Sequence, residues 1–283
     1  MVHVDSEISS FLKVRRAALD PAELGLTHGP TRRRVTGLRR EEVAHLAGLS
    51  VDYYTRIEQG RGGNISEAVL NAIGAALRMT PAELNYLHNI AQPRHHSGGG
   101  VAGQQVGQEV QQLLTALDDT VPAYVLGRAL DVLAWNRLGT LISVDFGLIP
   151  HRRRNAALLC FLDPVAKELY PEWDQMARDT VAALRADYGR YPDDARLHQI
   201  LGELHDNSAE FRKLWQAQAV QERSLGVRRI ALPEYGELTV SYATFRPTTD
   251  PDQVLCTYTA EPGSPTARLL RVIADESRAE SDS

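Results

Sequence analysis

The sequence predicts an α+β protein of two domains. The first is an all-α domain of five helices containing a helix-turn-helix. The second is a five-stranded antiparallel sheet with helices on one face. Three observations predict this. Apolar residues recur at helical spacing through residues 5–91. A Gly/Ser-rich stretch without periodicity, QPRHHSGGGVAGQQ, occupies 92–105 and reads as a flexible linker. Strict strand alternation appears only beyond it. The boundaries are therefore 1–91, a linker at 92–105, a second domain at 106–275 and a disordered tail at 276–283.

A first helix is expected over 5–19, with Ile8, Phe11, Leu12 and Leu19 along one side, ending at Asp20-Pro21. Residues 20–37 form a connection rich in Gly and Pro that carries Arg32, Arg33 and Arg34. Arg40 to Ala47 places Val43, Ala44 and Ala47 on one helical face, and Gly48 stops it. Ser50 is an N-cap for a helix from Val51 to Gln59, whose Tyr54 and Ile57 face inward. A helix, a glycine turn and a second helix make the DNA-binding helix-turn-helix plan. Ser66 caps a fourth helix, and Thr80-Pro81-Ala82-Glu83 opens a fifth that runs to about Ala91.

In the second domain, Val106, Val110, Leu113, Leu114 and Leu117 mark a helix. Two short runs, Ala123–Leu126 and Asp131–Trp135, read as paired strands. A helical stretch from Asn136 to about Asp187 follows, then a helix pair from Asp193 to about Ala219. Three strands close the order: Gly226–Leu232, Leu238–Phe245 and Val254–Thr259. A last helix covers Pro265–Ala274. A sheet under a helical layer leaves room for an apolar cavity between them.

The net charge of −5 argues against nucleic-acid binding, but its distribution does not. Residues 32–61 hold seven Arg against four acids, so positive charge gathers around the helix pair. No apolar run is long enough to span a membrane and no signal-peptide pattern opens the chain, so a cytoplasmic location is expected. The two cysteines, Cys160 and Cys256, lie in apolar runs and read as buried, reduced thiols. His95-His96 read as a solvated linker pair and the linker glycines, with no strand before them, as no dinucleotide loop.

The helix pair resembles the phage-repressor (XRE-type) helix-turn-helix family. The stretches RRRVTGLRREEVAHLAGLSVDYYTRIEQGR and SEAVLNAIGAALRMTPAELNYLHNIA resemble its MmyB-like subgroup of actinobacterial regulators. The motifs PAYVLGRALDVLAWN, FLDPVAKELYPEW, HDNSAEFRKLW and YTAEPGSP are similar to the ligand-binding domain of that subgroup. The resemblance implies a PAS-like sensor holding a fatty-acid-like ligand, with no cofactor required. Leu232 departs from it, standing where members often carry histidine before the turn proline.

By the same resemblance the base-facing positions are Val51, Asp52, Thr55 and Arg56. Arg56 suits a bidentate contact to guanine and Val51 a thymine methyl. Asp52 either accepts from a cytosine amino group or complements the helix N-terminus. Arg40, Tyr53 and Arg61 are assigned phosphate contacts. Arg32, Arg33 and Arg34 are either a solvated run or phosphate and minor-groove contacts. Arg16 and Glu58 match a pair that ties the first helix to the recognition helix. A lone helix-turn-helix binds weakly, so a homodimer on an inverted repeat is expected, with half-sites about one turn, ~34 Å, apart.

For the cavity wall, Trp135, Phe161, Trp173, Phe211 and Trp215 are candidates, each equally readable as core. Asn136 either contacts ligand or caps the helix after it. Arg137, or one of Arg152–Arg154, is a candidate for a carboxylate head group or a solvated helix start. The chain lacks a GxSxG elbow, an HExxH and a P-loop, so an enzyme is not expected. His198, Glu203 and His205 match no metal pattern. The reading is a ligand-sensing DNA-binding regulator. The alternative is a regulator whose second domain recruits a protein partner.

Overall fold

The computed structural model describes residues 4–26, 37–92, 104–117, 120–218 and 225–281. They form two compact units. The first comprises 1–97 with 185–194 and 214–221; the second comprises 98–184, 195–213 and 222–283. The division differs from the contiguous one expected, because two short stretches of later sequence group with the N-terminal helices. Arg32, Arg33, Arg34, His95 and His96 lie outside the described residues.

In the first unit, five helices appear: α1 (Val4–Ala18), α2 (Arg40–Leu46), α3 (Val51–Glu58), α4 (Glu67–Ala76) and α5 (Pro81–Ala91). Caps set their starts. Ser50, Ser66 and Thr80 each accept from the backbone N–H three residues on. Glu83 and Glu42 return the bond to the backbone N–H of Thr80 and Arg39. Gly48, at φ +65°, lets the chain leave α2 in the left-handed conformation. Phe11, Leu12, Leu38, Val43, Tyr54, Ile57, Leu70, Ile73 and Leu87 make one buried core.

The same unit contains a buried charge. The side chain of Arg185 is fully buried and pairs with Glu7, which also accepts the Tyr86 hydroxyl at 2.6 Å. Arg185 donates to Gln218 Oε1 at 2.6 Å and to the Trp215 carbonyl, and lies 4.0 Å over the Trp215 ring. Trp215 is thus engaged in this unit.

The second unit holds one antiparallel sheet ordered β2-β1-β5-β4-β3. Its strands are β1 (Ala123–Leu126), β2 (Val132–Trp135), β3 (Leu225–Leu232), β4 (Gly236–Phe245) and β5 (Val254–Thr259), close to expectation. Gly236, at φ +83°, closes the β3–β4 hairpin, and Leu232 opposite it is buried. Helix α6 (Gln108–Ala116) lies on one face, where Leu114 meets Ala123, Val125, Ala134 and Leu255. Helices α7 (Ala156–Leu162), α8 (Val165–Leu169) and the first part of α9 (Trp173–Arg190) line the other. Helices therefore occupy both faces rather than one.

Between β2 and α7 the chain makes short 3-10 turns, Arg137–Ile142, Phe146–Leu148 and His151–Arg153, where continuous helix was expected. Asp145 and Asn155 accept from nearby N–H groups and restart the chain each time. Helices α10 (Ala195–Asn207) and α11 (Ala209–Gln216) follow. Helix α12 runs from Pro265 to Ser281, past the expected end at Ala274 and through most of the tail read as disordered. Apolar spacing stops near Ala274; the helix formers Glu276, Arg278, Ala279 and Glu280 continue without it.

Candidate DNA-binding face and ligand cavity

Helix α3 is two-sided because its apolar residues sit three apart. Tyr54, Ile57 and Glu58 are buried, whereas Val51, Asp52, Arg56 and Gln59 are exposed and Thr55 is half-buried. The exposed side carries the residues assigned to base edges, with Arg61 exposed just beyond the helix. Tyr53 is half-buried, with part of its side chain packed against the core.

Glu58 holds the fold behind that face. Its carboxylate accepts from Arg16 Nε at 2.7 Å, Arg16 Nη2 at 3.2 Å, Arg40 Nε at 2.7 Å and the Tyr54 hydroxyl at 3.1 Å. Arg16 also donates to the Leu38 carbonyl at 2.6 Å. Burial alone would raise the Glu58 carboxyl, but hydrogen bonds and charge from Arg16 and Arg40 outweigh it and hold it below its usual range. Burial beside that carboxylate pushes the Tyr54 phenol up. The expected pair of Arg16 and Glu58 is present, and Arg40 makes it a triad. Arg40 was assigned to phosphate alone; its Nε is committed to Glu58, although the side chain remains 41% exposed.

The second site lies inside the other unit, between the inner face of the sheet and α7–α9. A cavity of about 180 Å³ opens there. Strand alternation turns Tyr124, Cys256, Tyr258, Tyr242 and Arg228 towards it; Leu159, Cys160, Leu169, Tyr170, Met176, Asp179 and Thr180 close it from the helical side. Four phenols, those of Tyr124, Tyr170, Tyr242 and Tyr258, are among its polar groups. The Tyr124 and Tyr258 hydroxyls are 2.8 Å apart. The Tyr124 ring meets Phe146 edge-on at 6.1 Å. Burial, reinforced by neighbouring phenols and thiols, holds the Tyr124 hydroxyl well above its usual range. Burial likewise pushes the Cys160 and Cys256 thiols up to about 12. Both cysteines are buried and free, as their apolar context predicted.

Among the described residues, Arg228 is the one basic group on the wall. Its side chain is 17% exposed, and its nearest carboxylate is Asp179 at 3.9 Å. The guanidinium lies 4.9 Å from the Tyr242 ring and 5.8 Å from that of Tyr170.

None of the seven residues expected on the cavity wall lines it. Trp135 sits one layer out, 5.3 Å from Phe146, with Arg154 over its other side. Asn136 caps: its Oδ1 accepts from the backbone of Ala123 and Gly139, and its Nδ2 donates to the Val121 carbonyl. Phe161 makes edge contacts with Trp173 and Phe211, and the Trp173 indole donates to the Cys160 carbonyl. These three fill the space between helices. Trp215 belongs to the other unit. Arg137 is off the wall, as are Arg152–Arg154; Arg153 pairs with Glu203 and Arg154 donates to the Ile149 carbonyl. His205 Nδ1 lies 3.0 Å from the Leu201 carbonyl, and His198 is exposed.

The residues missed were Arg228 and the tyrosines. A signal for Arg228 existed. In GVRRIAL it shares the face of Gly226, Ile230 and Leu232, the last two buried, while Arg229 points outward to Glu172 and Glu237.

Two family models match the chain. Residues 106–272 match the model of the MmyB-like transcription regulator ligand binding domain, and residues 7–87 match a helix-turn-helix domain. No curated protein matches the chain.

Proposed function

The chain belongs to the MmyB-like transcription regulators, and from that premise we propose that its PAS-like C-terminal domain senses a small apolar, fatty-acid-like ligand and so controls DNA binding. It is a transcriptional regulator with a DNA-binding helix-turn-helix and a ligand-binding domain. Neither family is catalytic, and among the described residues no helix is long and apolar enough to cross a membrane. The proposed protein acts in the cytoplasm as a homodimer on an inverted-repeat operator. Arg56 and Val51 read bases, and Arg61 and the exposed part of Arg40 meet phosphate.

The cavity carries the ligand reading. Its wall is aromatic and aliphatic, with a few polar groups converging on it, the usual build of a small-molecule site. Control requires the ligand to favour one of two arrangements of the protein; equal affinity for both would regulate nothing.

The direct test is mass spectrometry of an organic extract of the purified protein against an empty-vector control. A stoichiometric acyl compound is expected. Gel shift on operator DNA, with ligand added back, then reads the change in DNA affinity. An extract free of small molecules, together with a pull-down that captures a stoichiometric partner through residues 106–275, would replace ligand sensing with protein recruitment. Light scattering with operator DNA tests the dimer, and a monomer on DNA refutes it.

A further inference from the structure

Resting on that ligand reading, we propose that the cavity selects a compact organic acid and that Arg228 receives its carboxylate. Three observations converge on this. Arg228 lines the cavity from β3 and makes no hydrogen bond to any described residue. A guanidinium carries five N–H donors in a fixed fork. The contact with Asp179 at 3.9 Å is longer than a hydrogen bond, so the fork keeps donors open to the cavity. A ligand carboxylate supplies two acceptors in the bidentate geometry the fork prefers.

The neighbours suit an acid. The rings of Tyr242 and Tyr170 flank the cation. The Tyr124 and Tyr258 phenols, kept neutral by burial, are hydrogen-bond groups that add no negative charge. Two other charges lie on the wall, and each is already engaged. Asp163 accepts from the backbone N–H of Val165 at 3.0 Å, and Asp179 accepts from Gln175 Nε2 at 2.8 Å. Each carboxylate keeps further acceptor sites, so the choice between acid and amine rests on the open guanidinium fork and is decided by titration with octylamine.

Volume limits the apolar part. An engineered cavity of about 150 Å³ holds benzene. At about 180 Å³, this one accommodates a single ring or a chain of roughly six to eight carbons. We therefore place a medium-chain or monocyclic acid in it, with tetradecanoate as the check on a longer chain that emerges through the open side.

The test uses full-length protein and calorimetric titration with octanoate, phenylacetate, octanol, octylamine and tetradecanoate. Wild-type protein binds octanoate or phenylacetate better than octanol or octylamine, and tetradecanoate gains nothing over octanoate. Arg228→Met lowers acid affinity by about 10- to 100-fold, the worth of a charge-assisted hydrogen bond, and leaves octanol unchanged. Arg228→Lys keeps the charge without the fork and falls between. It also guards against a Met variant that does not fold, as read by circular dichroism. Equal binding of octanoate and octanol, or an Arg228→Met variant with wild-type octanoate affinity, overturns the head-group assignment while ligand sensing stands. Tighter octylamine overturns its sign. Much tighter tetradecanoate overturns the size limit. If no probe binds and the organic extract is empty, ligand sensing itself fails.

Discussion

Replacing Glu58 is the sharpest test of how the recognition helix is held. Glu58→Ala removes a fully buried carboxylate that accepts from Arg16, Arg40 and Tyr54. The cost is not that of one surface ion pair. Arg16 is 17% exposed and keeps only the Leu38 carbonyl, so its remaining donors lose their acceptor in a largely dry site. Arg40, 41% exposed, rehydrates and adds little. Breaking a buried pair costs ~3–5 kcal/mol, and the partial access of Arg16 to water puts this variant near the lower figure, about 3 kcal/mol. For a unit of roughly 100 residues, each kcal/mol moves Tm by about 4–8 °C, so a fall of at least ~10 °C is expected. Calorimetry of the full chain reads it in the transition that contains the helix-turn-helix. The pH dependence separates charge from packing. The folded Glu58 pKa lies below its unfolded value, so its contribution is present above the ordinary glutamate range. It disappears as pH falls through the folded pKa. Glu58→Gln must therefore lose the component of acid destabilisation that wild-type shows below about pH 4.5. A Glu58→Ala melt within 2 °C of wild-type, or an unchanged acid limb in Glu58→Gln, would refute the triad.

Arg56→Ala is expected to weaken operator binding by about 1–3 kcal/mol in a gel-shift titration and leave Tm unchanged, because the side chain is exposed; undiminished affinity removes Arg56 from the interface. The Cys160 and Cys256 thiols, held up to about 12 by burial, should resist a thiol reagent at pH 8 and react fully in denaturant; rapid labelling of the native protein would place them outside the cavity wall. The same shifts predict alkaline weakening of the sensor domain. The unfolded thiols ionise from about pH 9 while the folded ones stay neutral, so stability is full below that pH and falls as pH rises towards 12. Chemical denaturation monitored across that range checks it, and a flat profile contradicts it.

The elements were legible where pattern and structure obey one period. Gly48, Ser50, Tyr54 and Ile57 specify two helices and the angle between them by local rules alone. Leu238 and Val240 are buried and alternate with exposed Thr239 and Ser241, so β4 was plain in the sequence. The cavity wall was not legible by residue size. Trp135, Phe161, Trp173 and Phe211 are large and apolar, but such side chains serve equally well as filling between helices. Asn136 looked informative because it follows a strand, and it proved to be the cap that a residue in that place most simply is. Arg228 was hidden by its neighbour. Two adjacent arginines look alike in the sequence, yet on a strand adjacent residues face opposite ways, and only Ile230 and Leu232 reveal which faces in.

Two partly buried arginines show how a structural cation differs from one poised to bind. Arg16 and Arg228 have the same exposure, 17%. Desolvating a guanidinium costs the same kind of energy in either place, and the protein must offset it. At Arg16 the offset is built in: Nε, Nη1 and Nη2 each have an acceptor, from Glu58 or the Leu38 carbonyl. Such a residue has nothing left for a ligand, and its removal is felt in stability. At Arg228 the offset is partial, one carboxylate at 3.9 Å and two ring faces, with the donor fork turned into a cavity. Donors that face the cavity without a close acceptor stay available, and a ligand carboxylate that meets them adds affinity. Arg228→Met should therefore cost the ligand-free domain little stability, or even stabilise it, while Glu58→Ala costs the helix-turn-helix a large share of its own.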